Sequence, residues 1–366
     1  MTDRTVRAPE PARISAPTLP YLPRTPKTYH PNIGLIGCGG IAPYHLRAYK
    51  TRGYKVVALC DIDPARADGL QAQYFPEAKV YTDYQEVLRR PDIEVVDVAT
   101  HPGIRVEMVS SAIEAGKHVL SQKPFAMDLD VGEKLCDMAE RREVKLAVNQ
   151  NGRWAPHFAY LREAIALGLI GKPIAAHLAC HWDHNWTAGT AFDAIKHLIL
   201  FDFGIHWYDI LGCFLPGLAP ARVYASTTSA AGQKAKPSLL AQVAVEYDSA
   251  QASIAFDGST RFGRRDSTIV VGTDGTIDSD GPDLHRQTVT LHTPQGSASP
   301  ELEGEWFTNG FEGAMGELLC AIEENREPFN SGRDNLKGLA ICFAAVESAE
   351  THQPVAPGSV RRLTAL

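Results

Sequence analysis

The chain reads as a two-part α/β protein, a doubly wound parallel sheet followed by a second unit built on an antiparallel sheet. Three observations carry this reading. From Asn32 onward short β-branched runs alternate with helical segments, the rhythm of right-handed βαβ units. A glycine-rich segment, Gly37-Cys38-Gly39-Gly40-Ile41-Ala42, falls between the first run and the first helix. Beyond about residue 155 the rhythm gives way to alternating runs separated by Gly, Asp and Ser, which predicts antiparallel pairing. The 366-residue length agrees, since about 150 residues per domain implies about two domains.

Residues 1–30 carry Pro9, Pro11, Pro17, Pro20, Pro23 and Pro26, which deny the segment a regular helix or strand. It is either a loose tail or an extended arm on this subunit or a neighbour, with Ile14, Leu19, Tyr21 and Leu22 as the apolar residues that would dock. Residues 31–150 form the first domain, with strands expected at Asn32–Gly37, Lys55–Cys60, Val95–Ala99, His118–Ser121 and Leu146–Asn149. Its helices start at Ile41, Pro64, Pro102 and Asp128, and proline suits a first helical turn because its φ is already helical. Residues 151–366 form the second domain. It opens with a helix over Pro156–Leu169, a strand over Pro173–Trp182 and an apolar helix over Asp202–Phe214. Strands follow at Ala241–Tyr247, Ala250–Phe256 and Ser267–Gly272. Two helices close the chain, one striped with Phe311, Met315, Leu318, Leu319 and Ile322, the other spanning about Asn335 to Glu350.

Composition narrows the function. Hydrophobic residues are 44% and charged residues 22%, enough for packed cores, and the net charge of −7 argues against a nucleic-acid binder. No apolar run is long enough for a spanning helix, and the first 30 residues hold no signal-peptide stretch. The seven cysteines include no C-x-x-C pair, so a reducing cytoplasm is the expected compartment.

Gly37 through Ala42 matches G-x-G-x-x-A in its strand–turn–helix context. The first glycine permits a tight turn, the second lets backbone approach a pyrophosphate, and Ala42 lets helix and strand pack closely. The helix N-terminus adds unpaired N–H groups for the phosphates. Asp61 ends the second strand, where a carboxylate bonds a ribose 2′-hydroxyl and repels a 2′-phosphate. Ile62 follows in place of a phosphate-binding side chain, so NAD is expected over NADP, although Arg66 lies within reach. Gln122-Lys123-Pro124 follows a strand at its carboxyl end, where open α/β sheets bind ligands. Asp202 and His206 stand four apart on the apolar helix and so share a face. A buried structural histidine reads equally well from that spacing alone. His177, His181, Asp183 and His184 cluster without a metalloprotease or zinc-finger spacing, so no metal site is expected.

Together these residues resemble the Gfo/Idh/MocA oxidoreductases. The carriers are the glycine-rich segment, Asp61, Lys123-Pro124, Asn151-Gly152-Arg153-Trp154, Gly168-Leu169-Ile170-Gly171-Lys172-Pro173 and Asp202…His206…Asp209, spread over about residues 32–355. The resemblance implies a Rossmann domain and a C-terminal domain whose large open sheet commonly joins subunits, hence a homodimer or homotetramer. It implies Lys123, Asp202 and His206 as the catalytic residues, with Lys123 and Arg153 also at cofactor and substrate. Two departures stand out: the family's Glu-Lys-Pro step has Gln122 here, and His197-Leu198-Ile199-Leu200-Phe201 replaces a glycine-rich stretch.

The implied chemistry is oxidation of a sugar or cyclitol hydroxyl by hydride transfer to NAD. His206 is the expected base, Lys123 the partner of the hydroxyl, and Asp202 a holder of substrate or base. Trp182, Asp183, His184, Asn185 and Trp186 are expected to wall the substrate pocket. The alternatives are an NAD-using glycosidase, lyase or isomerase that oxidises transiently, and a dinucleotide-binding sensor without turnover.

Overall fold

The computed structural model describes residues 12–363. The first domain runs β1 (Asn32–Ile36), α1 (Ala42–Arg52), β2 (Lys55–Cys60), α2 (Pro64–Tyr74), β3 (Lys79–Tyr81), α3 (Tyr84–Leu88), β4 (Ile93–Val98), α4 (Pro102–Glu114), β5 (His118–Ser121), α5 (Leu129–Arg141) and β6 (Leu146–Val148). The sheet order is β3-β2-β1-β4-β5-β6 and every neighbouring pair is parallel. Strand order therefore reverses between β1 and β4, which opens a crevice at their carboxyl ends. The expected strands and helices of this domain are there, with Pro64 and Pro102 as first helical residues, while β4 begins two residues before the expected Val95 and α1 and α5 one residue after Ile41 and Asp128. Asp63 and Asp128 cap α2 and α5 by accepting from the N–H groups of Ala65 and Asp130. β3 and α3 were not expected, because a three-residue edge strand and a five-residue helix leave too little periodicity.

The second sheet is β14-β13-β12-β11-β7-β10-β9-β8. Its strands are β7 (Pro173–His181), β8 (Pro220–Thr228), β9 (Leu240–Tyr247), β10 (Gln251–Asp257), β11 (Arg265–Gly272), β12 (Thr276–Asp283), β13 (Arg286–Thr293) and β14 (Gly296–Ala298). All neighbours are antiparallel except β7 and β10, which run parallel. Helices α6 (Pro156–Ala166), α7 (Ile205–Phe214), α8 (Trp306–Glu323) and α9 (Gly332–Thr351) complete the chain. One sheet face is buried through Ala176, Leu178, Val243, Ile254 and Val270, while Tyr224 and Ile269, at the opposite strand parity, are exposed.

The sheets part near residue 150, yet the chain returns. The apolar stripe of α8 packs on the first domain, where Phe311, Met315, Leu318 and Leu319 share a core with Ile33, Leu35, Leu46 and Tyr49. The Val148 N–H donates to the Asn330 carbonyl at 2.8 Å, which ties β6 to the start of α9.

Residues 1–11 of the N-terminal segment lie outside the described residues; the remainder docks on its own subunit. Ser297 donates to the Ala12 carbonyl at 2.8 Å and accepts at its own carbonyl from Ile14 at 2.9 Å. The Tyr160 hydroxyl donates to the Pro17 carbonyl at 2.8 Å. Glu323 receives the N–H groups of Lys27, Thr28 and Tyr29, which hold its carboxyl down to about 2. Leu19 is 7% exposed and joins the main core. We therefore expect Leu19→Ala to cost about 2 kcal/mol, readable as a lowered midpoint in urea unfolding. A midpoint equal to wild type would return the arm to a loosely attached segment.

Candidate active site

The glycine-rich turn leaves β1 at the crevice. Gly37 adopts φ +99°, and a Cβ there would meet the Ala99 carbonyl at 2.9 Å, so only glycine lets the turn pass β4 so closely. A Cβ on Gly39 or Gly40 would meet nothing within 4 Å, which leaves an open cradle at the start of α1. Ile41 precedes α1, and Ala42 is wholly buried at its first residue. Asp61 grips the turn: one carboxylate oxygen takes the Cys38 N–H at 2.7 Å and the other takes the Asp63 N–H at 2.9 Å. Each oxygen keeps a further lone pair for a hydroxyl. Cys38 is an inert thiol, pushed up to about 12 by burial and by Asp61. Ile62 stands 89% exposed beside Asp61. These residues suit a dinucleotide, with backbone N–H groups for the pyrophosphate and a fixed carboxylate for the ribose.

Lys123 follows β5 on the other lip of the crevice. Its N–H donates to its neighbour Gln122 Oε1 at 2.7 Å. Gln122 Nε2 then lies 3.2 Å from His45 Nε2, and Asn149 Nδ2 lies 3.3 Å from the same nitrogen. Both amides donate, so His45 Nε2 accepts and the ring carries its proton on Nδ1. That proton faces Asp97 Oδ2 at 2.6 Å, and the Tyr49 hydroxyl donates to the same oxygen at 2.5 Å. The network explains why position 122 holds an amide. It must accept from Lys123 and donate to His45 at once, which a carboxylate cannot do.

Asp202 comes from a different backbone than the regular helix that carries His206. Ile199–Phe203 is a π turn, closed by the Gly204 N–H on the Ile199 carbonyl at 2.7 Å, and α7 begins only at Ile205. A Cβ on Gly204 would fall 2.7 Å from the Leu200 carbonyl, so glycine fits this junction. The expected single helix over Asp202–Phe214 is thus corrected. The extra residue per turn displaces Asp202 from the face that four-residue spacing predicts. Asp202 turns to Lys123, whose ammonium donates to the Asp202 carbonyl at 3.1 Å and lies 3.5 Å from its carboxylate. His206 Nδ1 is buried without a partner, and burial together with the Lys123 cation holds its pKa well below the usual histidine value. At neutral pH the imidazole is therefore uncharged and free to accept a proton. The structure brings Lys123 against Asp202 from two stretches of chain, and the Lys123 charge also reaches His206.

Aromatic groups pack against Phe203 and Trp207, the chain neighbours of Asp202 and His206. Trp182 stacks on His184 with ring centres 5.3 Å apart, Trp182 meets Trp207 at 5.6 Å, and His184 meets Phe203 at 4.6 Å. Burial pushes His184 down to about 4, so it too is neutral. Trp182 Nε1 and His184 Nδ1 are buried and without partners, as is His206 Nδ1. Asp183 shapes the loop: one oxygen takes the Asn185 N–H at 3.0 Å and the Asn185 amide at 2.6 Å. Trp186 is 56% exposed at the rim. His177 and His181 bond Ser253 and Asp257 across to β10, each at 2.7 Å.

Arg153, expected at cofactor and substrate, spends its guanidinium on partners within the protein. It is 2% exposed, and its guanidinium makes a forked pair with Asp209 at 2.6 and 2.7 Å. Asp334 takes a third bond at 2.8 Å, and the Phe329 carbonyl takes another. All three guanidinium nitrogens are committed to the second domain. Sequence reasoning missed His45, Asp97 and Asn149. Asp97 carried a signal, since it interrupts the apolar run Val95-Val96-Asp97-Val98 of a strand buried on both faces.

Comparison with known proteins agrees with this architecture. Residues 31–150 match the oxidoreductase family with an NAD-binding Rossmann fold, and residues 158–278 match the GFO/IDH/MocA C-terminal domain. A 1,5-anhydro-D-fructose reductase of Ensifer adhaerens is 30% identical over 334 residues, covering 87% of this chain and 96% of that protein. A D-apiose dehydrogenase of Paraburkholderia graminis is 29% identical, covering 88% of each chain. The structure of an oxidoreductase from Agrobacterium radiobacter in complex with NAD+, L-tartaric acid and magnesium aligns with a TM-score of 0.80 at 25% identity. That alignment covers 90% of this chain and 99% of the other. From the glycine-rich cradle to the sheet of the second domain, the chain belongs to the Gfo/Idh/MocA oxidoreductases, and its first domain is their NAD-binding Rossmann fold.

Proposed function

We propose that the protein is an NAD-dependent dehydrogenase oxidising a ring hydroxyl of a sugar or cyclitol. The observation that supports this is a Lys123 ammonium set against Asp202 at the carboxyl end of the parallel sheet, close enough to His206 to help keep its imidazole neutral. Aromatic faces such as Trp186 at the rim suit the C–H faces of a polyhydroxylated ring. NAD, held by Gly37 to Ala42 and Asp61, supplies the hydride acceptor. His206 takes the hydroxyl proton as the carbon gives up its hydride, leaving a carbonyl. Lys123 donates a hydrogen bond to the same oxygen and stabilises its developing negative charge. Asp202 steers the Lys123 ammonium. A screen of aldoses and cyclitols for NADH formation tests this reading, and no turnover of any of them would overturn it.

Asp61 selects the cofactor. Asp61→Ala removes a charged acceptor, so NADH should bind about 10–100-fold more weakly while NADPH changes less. Fluorescence titration with both nucleotides checks this; equal wild-type affinity for NADPH would refute it.

The reading extends to a homodimer or homotetramer joined through the outer face of the second sheet, which presents Tyr224 and Ile269. It extends also to a reducing cytoplasm, since all seven cysteines are free and buried.

A further inference from the structure

Arg105 is an unusual residue to bury. It lies on α4, is 1% exposed, and none of its hydrogen bonds goes to a carboxylate. Its partners are main-chain carbonyls. Nε donates to Thr100 at 3.0 Å, Nη1 to Gln122 at 2.6 Å and also to Pro124, and Nη2 to Lys123 at 3.4 Å and also to Thr100. Burial pushes it down to about 9, against the opposing pull of Asp202 and Asp97, so it remains a cation at neutral pH. Burying a charge without a counter-ion costs several kcal/mol unless its hydrogen bonds are fully met. Here a planar fork of donors meets four carbonyls, an arrangement that a lysine's point charge cannot copy.

Those carbonyls identify what is being held. Thr100 follows β4 at the reversal of strand order, and Gln122, Lys123 and Pro124 are the turn that carries the catalytic ammonium. Gln122 secures the same turn from another direction through His45 and Asn149. We propose that Arg105 is a positioning residue for Lys123, tying the turn after β5 to the end of β4 so that the ammonium meets Asp202 and the substrate hydroxyl. The proposal rests on the reading of Lys123 as the hydroxyl's partner. A misplacement of about 1 Å at a catalytic group costs about 10²-fold in rate, so the clamp acts on kcat.

The test is a cycle with Lys123. Arg105→Met should lower kcat about 10–100-fold while NADH affinity stays within about threefold of wild type. In the Lys123→Ala background the same change should alter the residual rate by less than about threefold, because Arg105 acts through the missing side chain. Arg105→Lys, which keeps the charge but not the fork, should show an intermediate loss and serves if Arg105→Met does not fold. Equal losses with and without Lys123 would overturn the proposal and leave Arg105 a fold residue. A second measurement needs no substrate: peptide-mapped trinitrophenylation of Lys123 in the folded protein. Its rate should change about threefold or more in either Arg105 variant, with exposed Lys134 as an unchanged control. An unchanged Lys123 rate in a folded variant would also overturn the clamp. If wild type oxidised no polyol yet the labelling shifted, the functional reading would fall while the positioning role stood.

Discussion

His206→Ala and Lys123→Ala are each expected to lower kcat by about 10²–10⁴-fold with NADH binding nearly unchanged, because both groups act chiefly as the proton leaves. The double variant should lose much less than the product of the single losses, since both serve one hydroxyl. The pH profile gives a sharper check. Burial and the Lys123 cation hold His206 below its ordinary value of 6.5, so the acid limb of kcat/KM should lie below that pH. Lys123→Ala removes a cation that disfavours imidazolium, so the His206 pKa rises and the acid limb moves upward toward the ordinary value. An acid limb that stays fixed in Lys123→Ala would detach His206 from the proton step. Near-wild-type turnover of either single variant would remove the mechanism while leaving the fold in place.

The parts of this site legible in the sequence are those whose chemistry is local. Gly37 to Ala42 forms one continuous turn and Asp61 ends a strand beside it, so spacing along the chain pointed to them, whereas the role of Lys123 came from the family resemblance. The alternation of strands and helices likewise gave the first sheet, because a parallel sheet needs a crossover between each pair of strands. What stayed hidden depends on partners far along the chain. Arg153 meets Asp209 across 56 residues and Asp334 across 181, so its four-residue motif showed a cation without showing where it points. The π turn was hidden differently. Asp202 and His206 fit an ordinary helix by spacing, and only the tertiary fit around Gly204 selects the wider turn. In the second sheet, β12 was missed because Asp278, Asp280 and Asp283 mask a strand that buries only Ile277 and Ser279.

Arg153→Met is expected to destabilise the fold without touching NADH binding, the signature of a structural clamp rather than a ligand contact. Removing one partner of a buried ion pair leaves the other uncompensated, which typically costs about 3–5 kcal/mol. The stranded group is Asp209, 4% exposed, whose carboxyl burial already raises above its ordinary value even with Arg153 beside it. Without the guanidinium that rise is greater, and the sign of the pH dependence follows. A carboxyl whose folded pKa exceeds its unfolded value binds more protons when folded, so stability is present at low pH and is lost as pH rises through that window. The deficit of Arg153→Met against wild type should therefore be larger at pH 8 than at pH 5, measured by urea unfolding at both. Arg153→Met with Asp209→Leu should recover much of the loss, because an apolar pair of similar volume avoids the desolvation cost altogether. NADH affinity per folded molecule should be unchanged in both variants. A folded Arg153→Met protein of normal stability that had lost NADH binding would restore Arg153 to the cofactor site.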